Sequence, residues 1–250
     1  MAITRRKFLK DISLTSLILI AGCPSVRDAV ENTSYRLDRG SKIPFVFMHG
    51  LTLDSRSMEP YAEVFRELGH TTLTIDFPYH GNSADFGPRT VLGFTQVARE
   101  VARYEKLEAP IFGGHSVGGT VAMNQALVYP NETSGVFMMA SAHSWKYLLS
   151  KEEASERNST DLITFFSITS EFLNLDLPVG RISVPKVLIQ FKDDEFFRAA
   201  TTADLHKQLD SSPPKSRFEY LNGTHETPLD EPERVIPALM KHYDYLIGTN

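Results

Sequence analysis

The chain has 250 residues, 42% of them hydrophobic and 23% charged, which is enough for one large domain with a buried core. Its formal net charge is −5, and its body holds no Lys/Arg cluster interleaved with aromatics, which argues against a nucleic-acid partner. No internal repeat and no low-complexity segment is present.

The first residues do not read as part of the fold. Thr4-Arg5-Arg6-Lys7-Phe8-Leu9-Lys10 is a basic run, and an apolar stretch follows from Ile12 to Ala21. About ten apolar residues are too few to span a bilayer, so residues 1–22 read as a signal peptide. The run resembles a twin-arginine export signal, and Ile20-Ala21-Gly22-Cys23 resembles the lipobox of bacterial lipoproteins, cut before the cysteine. These resemblances imply export, lipidation at Cys23 and a membrane-surface anchor facing the periplasm or the cell exterior. Cys23 is the single cysteine, so no intramolecular disulfide can form. Removing residues 1–22 takes away Arg5, Arg6, Lys7, Lys10 and Asp11, moving the net charge from −5 to −8. Pro24 to about Asn32 reads as a tether, and residues 23–43 as the tether and the start of the fold.

From Pro44 the chain alternates strand and helix. Pro44 to His49 is a short apolar run. Pro60 to Leu68 carries Tyr61, Val64, Phe65 and Leu68 at helical spacing, and Gly69 ends it. Thr71 to Asp76 is β-branched and apolar, a strand, and Val91 to Leu107 reads as a helix. Ala109 to Phe112 leads into Gly113-Gly114-His115-Ser116-Val117-Gly118-Gly119, and Thr120 to Leu127 follows as a helix. Further strands read at Ser134 to Ala140, Pro185 to Phe191 and Arg217 to Leu221. Helices read near Phe196 to Leu209, and from Pro232 or Pro237 to Ile247. Such alternation implies βαβ units and a mostly parallel sheet, with strands apolar on both faces. About forty residues from Ser141 to Ser183 break the rhythm and read as a small helical cap over the sheet's C-terminal edge. Trp145, Phe165, Phe166, Phe172 and Leu173 would pack within it or line a pocket beneath it.

Gly114-His115-Ser116-Val117-Gly118 is a G-x-S-x-G sequence between strand and helix. A sharp turn there exposes the Ser116 hydroxyl, and the glycines avoid collision with neighbouring elements. Val117 opens the helix, so its N–H is free to stabilise an oxyanion.

In this order the motifs resemble those of the α/β-hydrolase fold family, and the likeness runs from Pro44 to the C-terminal helix. It rests on His49-Gly50 after the first strand, Asp76-Phe77-Pro78-Tyr79-His80-Gly81-Asn82-Ser83, the Ser116 elbow, Tyr129-Pro130, and Gly223-Thr224-His225 ahead of Asp230-Glu231-Pro232. Tyr79 and Phe191 stand where the family usually has glycine. The resemblance implies a Ser-Asp-His triad, in that chain order. Ser116 is the nucleophile and His225 its base. The family's count from Pro185 lands on Asp194 as the acid, with Asp193 its neighbour and competitor and Glu195 beside both. Leu51 and Val117 would supply the backbone oxyanion donors.

His49, His80 and His115 read as structural histidines. No H-E-x-x-H or Cys/His cluster is present, so neither metal nor cofactor is expected. The expected function is a serine hydrolase working through an acyl-enzyme on a small acyl substrate, first a carboxylic ester. Thioester, amide or carbon–carbon hydrolysis and other acyl transfer use the same triad. A surface-tethered binding lipoprotein that keeps the fold is the non-catalytic alternative.

Overall fold

A computed structural model describes residues 26–144, 175–197 and 199–249. The predicted signal peptide and Cys23 lie outside the described residues. So does the greater part of the predicted cap, residues 145–174, with Trp145, Phe165, Phe166, Phe172 and Leu173.

Helix α1 (Val26–Asn32) leads into strands β1 (Tyr35–Asp38) and β2 (Lys42–Met48), then α2 (Glu59–Glu67), β3 (His70–Ile75) and α3 (Val91–Tyr104). Strand β4 (Ile111–His115) runs into α4 (Val117–Val128), followed by β5 (Gly135–Met139) and β6 (Lys186–Phe191). The chain closes with α5 (Ala199–Leu209), β7 (Arg217–Leu221), and α6 (Thr227–Asp230), α7 (Pro232–Met240) and α8 (Tyr243–Leu246). The sheet order is β1-β3-β2-β4-β5-β6-β7, with β1 antiparallel to β3 and every other pair parallel.

Every residue of β3, β4, β5 and β6 is buried, the polar His70, Thr71, Thr72, Thr74, His115, Lys186 and Gln190 included, as in a sheet covered on both faces. Alternate side chains of one strand feed two cores. Val46 and Met48 of β2 join α3 and α4 on one face, through Phe94, Val97, Val101 and Val121. Phe45 and Phe47 join Tyr61 and Phe65 of α2 and Val235 of α7 on the other. Because all the parallel strands point one way, the loops at their C-terminal ends converge on a single edge. That edge carries Gly50, Ser116, Asp194 and His225.

The structure corrects the chain reading at four places. The tether expected up to Asn32 is cut short by α1, where Ala29 is fully buried and the helix packs on α3. Strand β1 was not predicted, because four residues with two charges carry no apolar run; pairing with β3 alone makes it a strand. The helix expected from Phe196 starts at Ala199, since the Asp194 carboxylate holds the Phe196 and Phe197 N–H groups in a turn. The single helix expected up to Ile247 breaks after Met240 into α7 and α8. Among the described residues no helix is long and apolar enough to cross a membrane.

Candidate active site

The turn between β4 and α4 puts Ser116 at φ 51°, ψ −115°, a conformation that costs a non-glycine residue about 1–3 kcal/mol. The cost is met by the packing around it. The Ser116 N–H donates to the Met139 carbonyl at 2.9 Å. A Cβ on Gly114 would lie 1.9 Å from the Met48 carbonyl oxygen, and one on Gly118 2.1 Å from the same atom. Only glycine lets the turn settle onto the end of β2.

His225 follows β7, and its Nε2 lies 3.0 Å from Ser116 Oγ. Its Nδ1 lies 3.0 Å from Asp194 Oδ2, and the other carboxylate oxygen, Oδ1, accepts from Phe196 N at 2.9 Å and Phe197 N at 2.8 Å. An acceptor-only carboxylate fixes the tautomer: Nδ1–H donates to Asp194, and the Nε2 lone pair accepts from the Ser116 hydroxyl. The Asp194 side chain is 1% exposed and that of His225 is 5% exposed, so the bond between them is buried. Asp193 is exposed, and its N–H donates to the Gly223 carbonyl at 2.9 Å, tying the acid loop to the histidine loop. The structure thus brings Ser116, His225 and Asp194 together, and turns Asp193 outward.

Burial disfavours the His225 imidazolium. The negative charge and hydrogen bond of Asp194, with Glu226 and Glu195 beyond, outweigh it and hold the pKa above the ordinary 6.5. Two side chains also grip the peptide groups of His225. Glu195 Oε2 accepts from its N–H at 3.2 Å, and His115 Nε2–H donates to its carbonyl at 2.9 Å. Burial pushes His115 down to about 3, so it stays neutral, and its Nδ1 is a buried acceptor with no partner. His115 thus holds His225 in place, a structural role. The grip of Glu195 is visible only in the fold, since a Glu next to an acid candidate carries no local signature.

Leu51 and Val117 lie on the two turns beside Ser116. Val117 is the first residue of α4, so its N–H is free of helical bonding, and Leu51 lines the cavity above Ser116. His49 orders this turn. Its Nδ1–H donates to the Gly50 carbonyl at 2.6 Å and its Nε2 accepts from Phe77 N at 3.0 Å. Burial pushes it down to about 4, so it is neutral. Asp76 accepts from Ser55 N at 2.7 Å and Asn82 N at 2.9 Å, joining the loops after β2 and β3. The cavity measures about 320 Å³, with Ser116, His225, Phe196, Phe197, Glu195 and Glu226 in its walls. Among the described residues no group of three or more His, Cys, Asp or Glu could hold a metal ion.

Many solved structures superpose on this chain. One, from work on carboxylesterases of Nitrososphaera gargenis, aligns at TM-score 0.71 over 87% of this chain and 96% of its own, at 13% identity. A hydrolase from Oleispira antarctica aligns at TM-score 0.69 over 91% of this chain and 99% of its own, at 16% identity. The fold is that of the α/β-hydrolases. The model of the alpha/beta hydrolase family matches residues 45–149, from β2 through the elbow helix. The sn-1-specific diacylglycerol lipase ABHD11 of Danio rerio is 32% identical over 115 residues, 44% of this chain. The chain spans 37% and 36% of the length of the curated relatives it matches.

Against the α/β-hydrolase pattern, Phe191 is accommodated by burial at the end of β6, where it is 1% exposed. Tyr79 is not at ease in the same way. Its φ is +69°, the left-handed region that favours glycine, at a cost of about 1–3 kcal/mol.

Proposed function

We propose that the chain is a serine hydrolase that cleaves carboxylic esters through an acyl-enzyme on Ser116. One observation carries this reading: the unbroken hydrogen-bond chain Ser116–His225–Asp194, 3.0 Å at each link, at a strained elbow. Ser116 Oγ attacks the carbonyl carbon as Nε2 of His225 takes its proton. The oxyanion forms against the N–H groups of Leu51 and Val117. The carbon–oxygen bond to the leaving alcohol breaks, and Nε2 returns the proton to that alcohol. Water, activated by the same nitrogen, then releases the acid. Asp194 keeps the tautomer and stabilises the imidazolium at each step. Carboxylesterase and lipase names among the relatives support an ester as substrate.

The test is a panel of p-nitrophenyl esters, thioesters and anilides, with a fluorophosphonate probe and a Ser116→Ala control. Labelling and ester turnover that vanish together in the variant are expected. Turnover that survives in Ser116→Ala overturns the assignment of the nucleophile. A wild-type protein that neither labels nor turns over any substrate points to a binding lipoprotein instead. Preferred cleavage of thioesters or anilides moves the substrate class.

We also propose that residues 1–22 direct export by the twin-arginine route and that Cys23 is lipidated, on the strength of the sequence pattern. Cys23→Ser should move the protein from the membrane to the soluble fraction; unchanged fractionation would refute the anchor.

A further inference from the structure

A second cavity, of about 270 Å³, shares Leu51, Thr52 and Leu53 with the cavity above Ser116 and continues to Tyr79, Arg89 and Phe94. The two spaces meet at the turn that carries the proposed oxyanion donor.

The Arg89 guanidinium lies over the Tyr79 ring, 3.8 Å from its centroid. The Tyr79 hydroxyl is fixed in turn by donation to the Gly87 carbonyl at 2.8 Å. The strained left-handed backbone of Tyr79 thus holds up a platform for a cation. Stacking occupies the face of a guanidinium and leaves its N–H edge free. Among the described residues no carboxylate pairs with Arg89. Arg89 also directly precedes Thr90, the N-cap of the fourteen-residue helix α3, whose positive end adds to its field.

The other charged or titratable groups of this cavity are already committed. Asp54 accepts from Arg56 through Nη2 at 2.6 Å, Nε at 3.0 Å and the backbone N–H at 2.9 Å. His80 Nδ1–H donates to the Pro78 carbonyl at 2.8 Å, and burial, with the charge of Arg89, keeps the ring below its usual range and neutral. Among the described residues, Arg89 is therefore the uncompensated charge of the cavity. A single guanidinium balances one negative charge and matches a carboxylate with two parallel N–H donors. Leu51, Leu53 and Phe94 give this cavity an apolar lining, and Leu51 and Leu53 also line the neighbouring cavity.

We propose that this cavity is a carboxylate subsite, and that the substrate is an ester with one limb ending in a carboxylate, held by Arg89 across a short apolar spacer. The proposal rests on Ser116 being the nucleophile, but the subsite can be read without turnover. Glutarate and inorganic phosphate are titrated calorimetrically into full-length Ser116→Ala protein and into Ser116→Ala/Arg89→Gln. Glutarate binding weakened at least tenfold by Arg89→Gln is expected, with phosphate weaker than glutarate. Equal binding in both proteins, or none in either, overturns the subsite. Phosphate binding tighter than glutarate overturns the carboxylate assignment.

In a Ser116-active protein, kcat/KM is compared for the p-nitrophenyl hemiester of glutarate and p-nitrophenyl valerate. Arg89→Gln should lower the hemiester/valerate ratio at least tenfold, and Tyr79→Leu should lower it in the same direction by removing the platform. A ratio that stays within twofold in both variants overturns the proposal.

Discussion

Asp194→Asn tests the chemistry of the site at one atom. The carboxylate has three acceptor contacts: Oδ1 takes Phe196 N and Phe197 N, and Oδ2 takes His225 Nδ1–H. An asparagine keeps its carbonyl for the two backbone donors, since the turn before α5 depends on them. Its NH₂ then faces His225 Nδ1. Two donors cannot share that bond, so the imidazole takes the other tautomer, with the proton on Nε2. Nε2 then has no lone pair for the Ser116 hydroxyl. Loss of the correct tautomer in a triad costs about 10⁴-fold in kcat. That is about 5 kcal/mol of transition-state stabilisation at 1.36 kcal/mol per decade. Asp193 is exposed and only its backbone is engaged, so Asp193→Asn should stay within about threefold. The assay is kcat/KM on p-nitrophenyl acetate at pH 8, with thermal melts to show that both variants fold. A loss under tenfold in Asp194→Asn, or an equal loss in Asp193→Asn, would refute the role given to Asp194.

Three further outcomes are expected. As the proposed base His225 must be neutral to take the proton, and its pKa is raised, so kcat/KM should rise with pH through a midpoint above 6.5. Glu195→Gln keeps an acceptor for the His225 N–H but removes a raising charge, so this midpoint should move down; a midpoint that stays in place or moves up would contradict the electrostatic account. Gly114→Ala places a Cβ 1.9 Å from the Met48 carbonyl oxygen, and should cost about 3 kcal/mol or more in denaturant unfolding, or prevent folding. Lys186 is fully buried with Nζ donating to the carbonyls of Ile182 at 2.9 Å, Ser212 at 3.2 Å and Pro214 at 2.5 Å. Lys186→Met strands those acceptors and should destabilise by about 2–4 kcal/mol in chemical denaturation, with little change in kcat.

The core of the fold could be read from the sequence because its signal is local. Phe45 to Met48, Thr71 to Ile75 and Val187 to Phe191 are strands whichever way they are paired, as both faces are buried. The elbow is local too: two glycines and a serine at fixed spacing describe the turn they make. What escaped depends on partners far along the chain. Tyr35–Asp38 becomes a strand only beside β3, and Val26–Asn32 becomes an ordered helix only against α3. At the site, the choice between Asp193 and Asp194 rests on a family count in the sequence; in the fold it rests on which carboxylate accepts from the Phe196 and Phe197 N–H groups and from His225 Nδ1–H. Glu195 and Arg89 had no signature, since a lone charge in a loop acquires meaning from what it touches.

The Met48 carbonyl has a consequence for how such a site can change. The Ser116 turn rests on this oxygen through Gly114 and Gly118, and the next two residues, His49 and Gly50, begin the opposite wall. Ser116 and the turn after β2 therefore share one foundation. The acid and histidine loops stand on β6 and β7 and are tied to each other by Asp193 and Gly223. The edge is thus built as two blocks joined by two bonds at His225, its Nε2 to Ser116 Oγ and its carbonyl to His115 Nε2–H, so a change that moves one block must keep or replace both bonds.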